Sequence, residues 1–311
     1  LKASNAISSS RARNGGPRAT TGSSSSTDRH FILDGPSRTI DARIHAWRKD
    51  LADVALAGSV FAPHYARPLP RACGAHVASI WPGPTAEGEA LSELLPGEGF
   101  GVLEYAGGWA WGFSLADHVV GYVEAIALDD AAEATHIVCE KHAPVIADEA
   151  ITSPVIATLP MGSRLHGREC GACLTTEYGC VSLSHLRRIG EPEADPVIVA
   201  ERLIGAPFLA GGRTPAGVDS AALVQLSLCL CGVAAPRLLD QLAALGTIVA
   251  AEAPARRGDL VLLDAGSGLE QPGGAGLMID DLLMIHASRA AGKVCVEPIS
   301  LYETQRRRLP L

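Results

Sequence analysis

Apolar positions along this chain fall into successive rhythms, and each predicts a different kind of element. From Arg71 to Asp130 they come as short runs, HVASIW, GFGVLEY, WAWGFS and VVGYVEAIAL, separated by PGPTAEGE, AGG and LADH. Apolar runs of about 4–8 residues bounded by Gly, Pro and Asp suit strands, and several in one short span suit a small β-barrel. Trp109 and Trp111 alternate along WAWGFS and so share one face, which is expected to be core. Residues 134–187 repeat the rhythm more faintly as THIVCEK, APVIAD, SPVIATLPMGSRLHGRE, ACLTTE and YGCVSLSHL. Gly179-Cys180-Val181, followed by Ser184-His185-Leu186, stands where Gly121-Tyr122-Val123 stands in the first module, which reads as an internal repeat.

Beyond Glu191 the period lengthens. Asp195 before Pro196 marks a helix start, and the helix is expected to run to Ile204. Asp219 opens a second apolar helix that Gly232 ends, and APRLLDQLAALG predicts a third, shorter one. LVLLD, AGLMID, LMIHAS and KVCVEPI then read as antiparallel strands. Helices followed by a strand meander define an α+β domain. The expected organisation is residues 1–38 as a disordered Ser/Gly/Arg-rich arm, 39–70 as a linker with a short helix, 71–130 and 131–188 as two small barrels, and 193–311 as the α+β domain.

Composition narrows the function classes. The 311 residues are 47% hydrophobic and 19% charged with a net charge of −8, which excludes a broad basic face for nucleic acid. The one dense basic run, Arg306–Arg308, reads as a solvated tail. No apolar run reaches the roughly 18 residues of a membrane span. The N-terminus lacks the apolar core of a secretory signal, so the expected location is cytoplasmic. The eight cysteines are scattered through apolar segments, as reduced thiols are. Cys170-x-x-Cys173, with Cys180, His166 and His185 nearby, lacks the second Cys-x-x-Cys of a zinc knuckle, so no metal or other cofactor is expected.

Several strings carry a family resemblance in the right order. They are Ala206-Pro207-Phe208, Gly211-Gly212-Arg213-Thr214-Pro215, Gly217-Val218-Asp219, Leu223-Val224-Gln225, Ala235-Pro236-Arg237, Arg257-Gly258-Asp259-Leu260-Val261, Leu277-Met278-Ile279-Asp280 and Ile285-His286-Ala287. With them the C-terminal domain resembles the NlpC/p60 family of papain-like cysteine peptidases. Trp109, Trp111 and Gly121-Tyr122-Val123 resemble the bacterial SH3-like domain. The resemblance implies a papain-like α+β domain preceded by two SH3-like β-barrels. It also implies kinship with the subgroup that cuts cell-wall peptides between γ-D-glutamate and a diamino acid.

The same resemblance shows where the chemistry departs. The family's nucleophilic cysteine falls on Ser220, its general base on Gly274, and its third, orienting residue on His286. A serine hydroxyl is a weak nucleophile without an adjacent base, and base assistance is worth roughly 10²–10⁴-fold. The expectation is therefore a catalytically inactive homologue that binds cell-wall peptide fragments or a protein partner. The competing expectation is a slow hydrolase in which His286 serves Ser220. For ligand binding the resemblance implies Asp219, which equally suits a helix N-cap. It further implies Tyr122, an acidic residue of the first barrel (Glu87 or Glu89), and Phe208 where the family has tyrosine.

Overall fold

The computed structural model describes residues 40–148, 153–264 and 272–310. The arm expected over 1–38 lies outside them. Residues 40–66 form no α-helix. Leu51–Asp53 instead pairs in parallel with His64–Ala66, and Asp53 caps a 3₁₀ turn over Val54–Leu56. The reason is tertiary. Ala46 and Leu51 are buried against Trp111 and Phe113 of the next module, and the Arg48 guanidinium lies 4.4 Å from the Trp111 ring centroid. Burial of this kind outweighs a modest helix propensity.

The first β-module builds a five-stranded antiparallel sheet in the order Val120–Glu124, Trp109–Ser114, Gly99–Ala106, Leu69–Cys73, Leu128–Asp130. A short ribbon, Ala78–Ile80 with Ser92–Leu94, closes over it. Ile80, Leu94, Phe100, Val102, Ala110 and Val123 fill its core. Both faces of the Trp109–Ser114 strand carry buried residues: Ala110 belongs to that core, and Trp111 and Phe113 form a second cluster with Ala46 and Leu51 of the 40–66 segment. Residues 136–188 form a second β-module, with a five-stranded and a three-stranded sheet around Val138, Val145, Leu159, Leu174 and Val181 and a 3₁₀ turn over Leu183–His185.

The C-terminal domain supplies all the α-helices among the described residues: α1 (Pro196–Glu201), α2 (Ser220–Leu230) and α3 (Leu239–Leu242). The Asp195 side chain accepts from the Val197 amide at 2.8 Å, and Pro196 occupies the first turn where its missing N–H costs nothing. None of these helices is long and apolar enough to cross a membrane. Helix α2 is buried at ten of its eleven residues, as a helix apolar all round must be. It packs on a six-stranded antiparallel sheet ordered Thr247–Val249, Thr304–Arg308, Leu260–Leu263, Gly274–Met278, Leu283–Ser288, Lys293–Pro298. Leu260, Leu262, Ala275, Leu277 and Ile285 face the helices, while Val261, Leu263, Met278 and Met284 form a separate cluster.

Arg306–Arg308 is therefore not a solvated tail but part of an internal strand. Its side chains terminate exposed backbone: Arg306 donates to the carbonyls of Ala250, Ala251 and Ala253, and Arg307 to those of Leu245 and Gly246. Arg308 forks onto buried Asp259 at 2.7 and 2.8 Å. Burial acts to raise the Asp259 carboxyl, but Arg308 and the Arg256 amide outweigh it and hold the group below its ordinary range.

One buried network joins the first module to the C-terminal domain. Arg213, 3% exposed, donates to both oxygens of Glu98 at 2.6 and 2.9 Å, to the Glu93 carbonyl at 2.6 Å and to Gln225 Oε1 at 3.1 Å. Gln225 on α2 passes the network on to Asp117 Oδ2 at 2.8 Å. Removing one member of such a pair leaves an uncompensated charge in low dielectric. Glu98→Ala is therefore expected to lower the unfolding free energy by about 3–5 kcal/mol, measured by urea titration. A change below 1 kcal/mol would show that the pair behaves as a surface ion pair.

Candidate active site

Helix α2 begins at the floor of a cleft of about 700 Å³ whose walls include Arg43, Leu91, Phe208, Asp219, Ser220, Arg237, Asp240 and Arg289. The turn that delivers the helix is built by Gly211. Its φ of +76° and the Ala90 carbonyl, 2.3 Å from where a Cβ would stand, admit no side chain. Its amide donates to Asp219 Oδ2 at 3.0 Å.

The Asp219 carboxylate is fully committed. Oδ1 accepts from the Ala222 amide at 2.8 Å and from Arg237 Nη1 at 3.0 Å, and Oδ2 accepts from Gly211 and from Arg237 Nη2 at 2.6 Å. Four donors use the roughly four lone-pair directions a carboxylate offers. Asp219 is thus the helix cap and the partner of Arg237, whose Nε donates to Ser92 Oγ of the first β-module at 3.0 Å.

Ser220 stands at the first helical position, 6% exposed. Among the described residues no group hydrogen-bonds its hydroxyl. A Cβ built on Gly274 would lie 3.5 Å from Ser220 Oγ and 3.2 Å from Leu263 Cδ1. A side chain at 274 would therefore rise directly beside the serine hydroxyl, and here there is none.

His286 is turned to other work. It lies opposite Gly276 in the sheet, is 2% exposed and does not line the cleft. Its Nε2 pairs with Glu297 Oε2 at 2.6 Å, and the same oxygen accepts from Tyr302 at 2.5 Å. Tyr302 and His286 hold Glu297 below its ordinary range. Burial and then Glu297 push the Tyr302 phenol up to about 12.

The remaining expected residues separate. Phe208 lines the cleft, half-buried, with the Arg289 guanidinium 4.9 Å from its ring centroid. Tyr122 does not line it. Its hydroxyl accepts from Arg48 at 3.3 Å, and its ring packs beside Trp111. Glu87 and Glu89 are exposed and do not line the cleft. Glu93 of the first β-module does not line the cleft either, but its Oε2 accepts from the Arg213 amide, ahead of the turn into α2, at 2.6 Å. Burial raises its carboxyl, with Arg213 and Arg237 acting against that rise. Arg289 carries no sequence signal, because it reaches the cleft only through tertiary packing.

Comparison with known proteins places this geometry. Residues 205–308 match the NlpC/P60 family model, and residues 80–128 match the model of the bacterial dipeptidyl-peptidase SH3 domain. The chain carries an NlpC/P60 domain. An NlpC/P60 family protein from Bacillus cereus ATCC 10987 superposes with a TM-score of 0.68 at 16% identity, covering 78% of this chain and 100% of that one. An NlpC/P60 endopeptidase from Photobacterium damselae subsp. piscicida aligns with a TM-score of 0.54 at 14% identity, over 74% of this chain and 66% of the other. RipD from Mycobacterium tuberculosis, described as a non-catalytic NlpC/p60 domain protein adapted to peptidoglycan binding, aligns at 19% identity and a TM-score of 0.30, over 36% and 93%. No curated protein sequence matches the chain.

The contacts of the NlpC/P60 cleft divide framework from chemistry. Asp219→Ala removes the helix cap and strands buried Arg237, and is expected to cost about 3–5 kcal/mol of stability. Ser220→Ala removes an unpartnered hydroxyl and is expected to change stability by no more than about 0.5 kcal/mol. Thermal denaturation of the two variants side by side checks the contrast, and equal losses would contradict it.

Proposed function

We propose that this chain is a catalytically inactive NlpC/P60 homologue that holds cell-wall peptide fragments in its cleft without cutting them. The observation that carries the reading is the glycine at 274, whose absent side chain would have stood 3.5 Å from Ser220 Oγ. A helix N-terminus lowers the pKa of a thiol enough to make thiolate available. A serine hydroxyl needs a base to take its proton in the transition state. Ser220 has the helix terminus and lacks the base. In this reading residues 131–188 are a second SH3-like barrel.

The slow-hydrolase alternative draws no support from His286, whose Nε2 is occupied by Glu297. What the cleft retains is charge suited to a peptide bearing free carboxylates. Arg289 is exposed and makes no ion pair among the described residues. Asp240 also lines the cleft but is paired with Arg43 at 2.5 Å. With Asp219 saturated by Arg237, a ligand carboxylate meets Arg289 as the one unpaired cation of the cleft walls, and a charge-assisted contact of that kind is worth about 1.5–3 kcal/mol.

Calorimetric titration with L-Ala-γ-D-Glu-meso-diaminopimelate tests the reading. It is expected to give saturable heat, with affinity lowered roughly tenfold or more by Arg289→Ala. Absence of heat at millimolar peptide would remove this ligand class and favour a protein partner.

A further inference from the structure

A second chemical cluster sits in the NlpC/P60 sheet, away from the cleft walls. His286 on the Leu283–Ser288 strand lies directly opposite Cys295 on the Lys293–Pro298 strand. Glu297 is two residues beyond Cys295, so the period of two puts all three side chains on one face. Their ligand atoms, an imidazole nitrogen, a thiol sulfur and a carboxylate oxygen, all lie within 4.8 Å of one another. Among the described residues this is the one group of three or more such donors.

We propose that His286, Cys295 and Glu297 form a zinc-binding site. The donor set fits a borderline cation: sulfur and imidazole together select zinc over magnesium or calcium, which take oxygen ligands. Tetrahedral zinc at bond lengths of about 2.0–2.3 Å holds its ligand atoms roughly 3.3–3.8 Å apart. For that spacing the His286–Glu297 contact opens from 2.6 Å by about 1 Å and the Cys295 sulfur, within 4.8 Å of both, closes by up to about 1 Å. Zinc binding replaces that hydrogen bond: its shared proton leaves for His286 Nδ1 or solvent, Nε2 and the carboxylate oxygen bind the ion, and a third bond forms as the Cys295 thiol releases its proton to solvent.

The surroundings complete a site. Tyr302 Oη touches the Glu297 carboxylate at 2.5 Å and packs edge-on against the His286 ring, so it orients two of the three ligands. The His286 side chain is 2% exposed whereas that of Glu297 is 26% exposed, which leaves the ion an approach and a fourth position for water or Tyr302 on the Glu297 side. With glycine at 274, His286 has no imidazole to orient, so the site takes nothing from the cleft. The proposal is independent of what the cleft binds.

Cobalt(II) titrated into the reduced full-length chain tests it, because thiolate-bound cobalt absorbs in the near ultraviolet and tetrahedral cobalt in the visible. The expected result is both bands saturating at one equivalent and disappearing on addition of zinc. Cys295→Ser is expected to abolish the near-ultraviolet band and His286→Gln to shift or abolish the visible one, with circular dichroism unchanged. Cys170→Ser/Cys173→Ser is expected to retain both. No thiolate band, a band that survives Cys295→Ser, or one lost with Cys170 and Cys173 would overturn the assignment and leave the trio as a hydrogen-bonded polar cluster.

Discussion

A single guanidinium, shut away from water, decides how this molecule is put together. The Arg213 side chain leaves the strand before α2 and donates to the Glu98 carboxylate, the Glu93 carbonyl and Gln225 Oε1, partners that belong to two different modules. A buried cation is tolerable only when each of its donors is answered, so the first β-module cannot shift against the C-terminal domain without stranding it. The same constraint fixes the turn that starts α2. Arg213 and Asp219 flank that turn, and each is held by residues distant in sequence.

From this follows a division of labour at the cleft. Its framework, comprising the Gly211 turn, the saturated Asp219 and the Arg237 fork, depends on buried polar contacts and is intact. Two further positions at the cleft, Ser220 and Gly274, contribute nothing to that framework. Ser220 has no hydrogen-bond partner among the described residues, and Gly274 has no side chain. The scaffold therefore stands without them.

Much of this was legible in the chain. Asp195-Pro196 and Asp219 gave correct helix starts because capping is a local interaction between a side chain and the amides that follow it. Ser220, Gly274 and His286 were singled out from motifs, and in the structure a Cβ on Gly274 would stand 3.5 Å from Ser220 Oγ while His286 does not line the cleft. Other features were hidden because they are settled by partners far along the chain. Residues 39–70 suggested a short helix, yet Leu51–Asp53 is a strand and Ala46 and Leu51 are buried against Trp111 and Phe113. Arg306–Arg308 looked like a tail, since nothing local reveals the carbonyls and the buried Asp259 that the three side chains satisfy. The His286, Cys295 and Glu297 cluster has no motif spacing, because antiparallel register and not sequence proximity brings it together.

Hydrolysis measured directly decides the central claim, that the domain lacks turnover because position 274 offers no base to Ser220. The tripeptide L-Ala-γ-D-Glu-meso-diaminopimelate is incubated with the unaltered chain, with Ser220→Ala and with Ser220→Cys/Gly274→His, and the products are resolved by mass spectrometry. The account predicts no release of L-Ala-γ-D-Glu by the first two and measurable release by the double variant. Release by the unaltered chain that disappears in Ser220→Ala would contradict it.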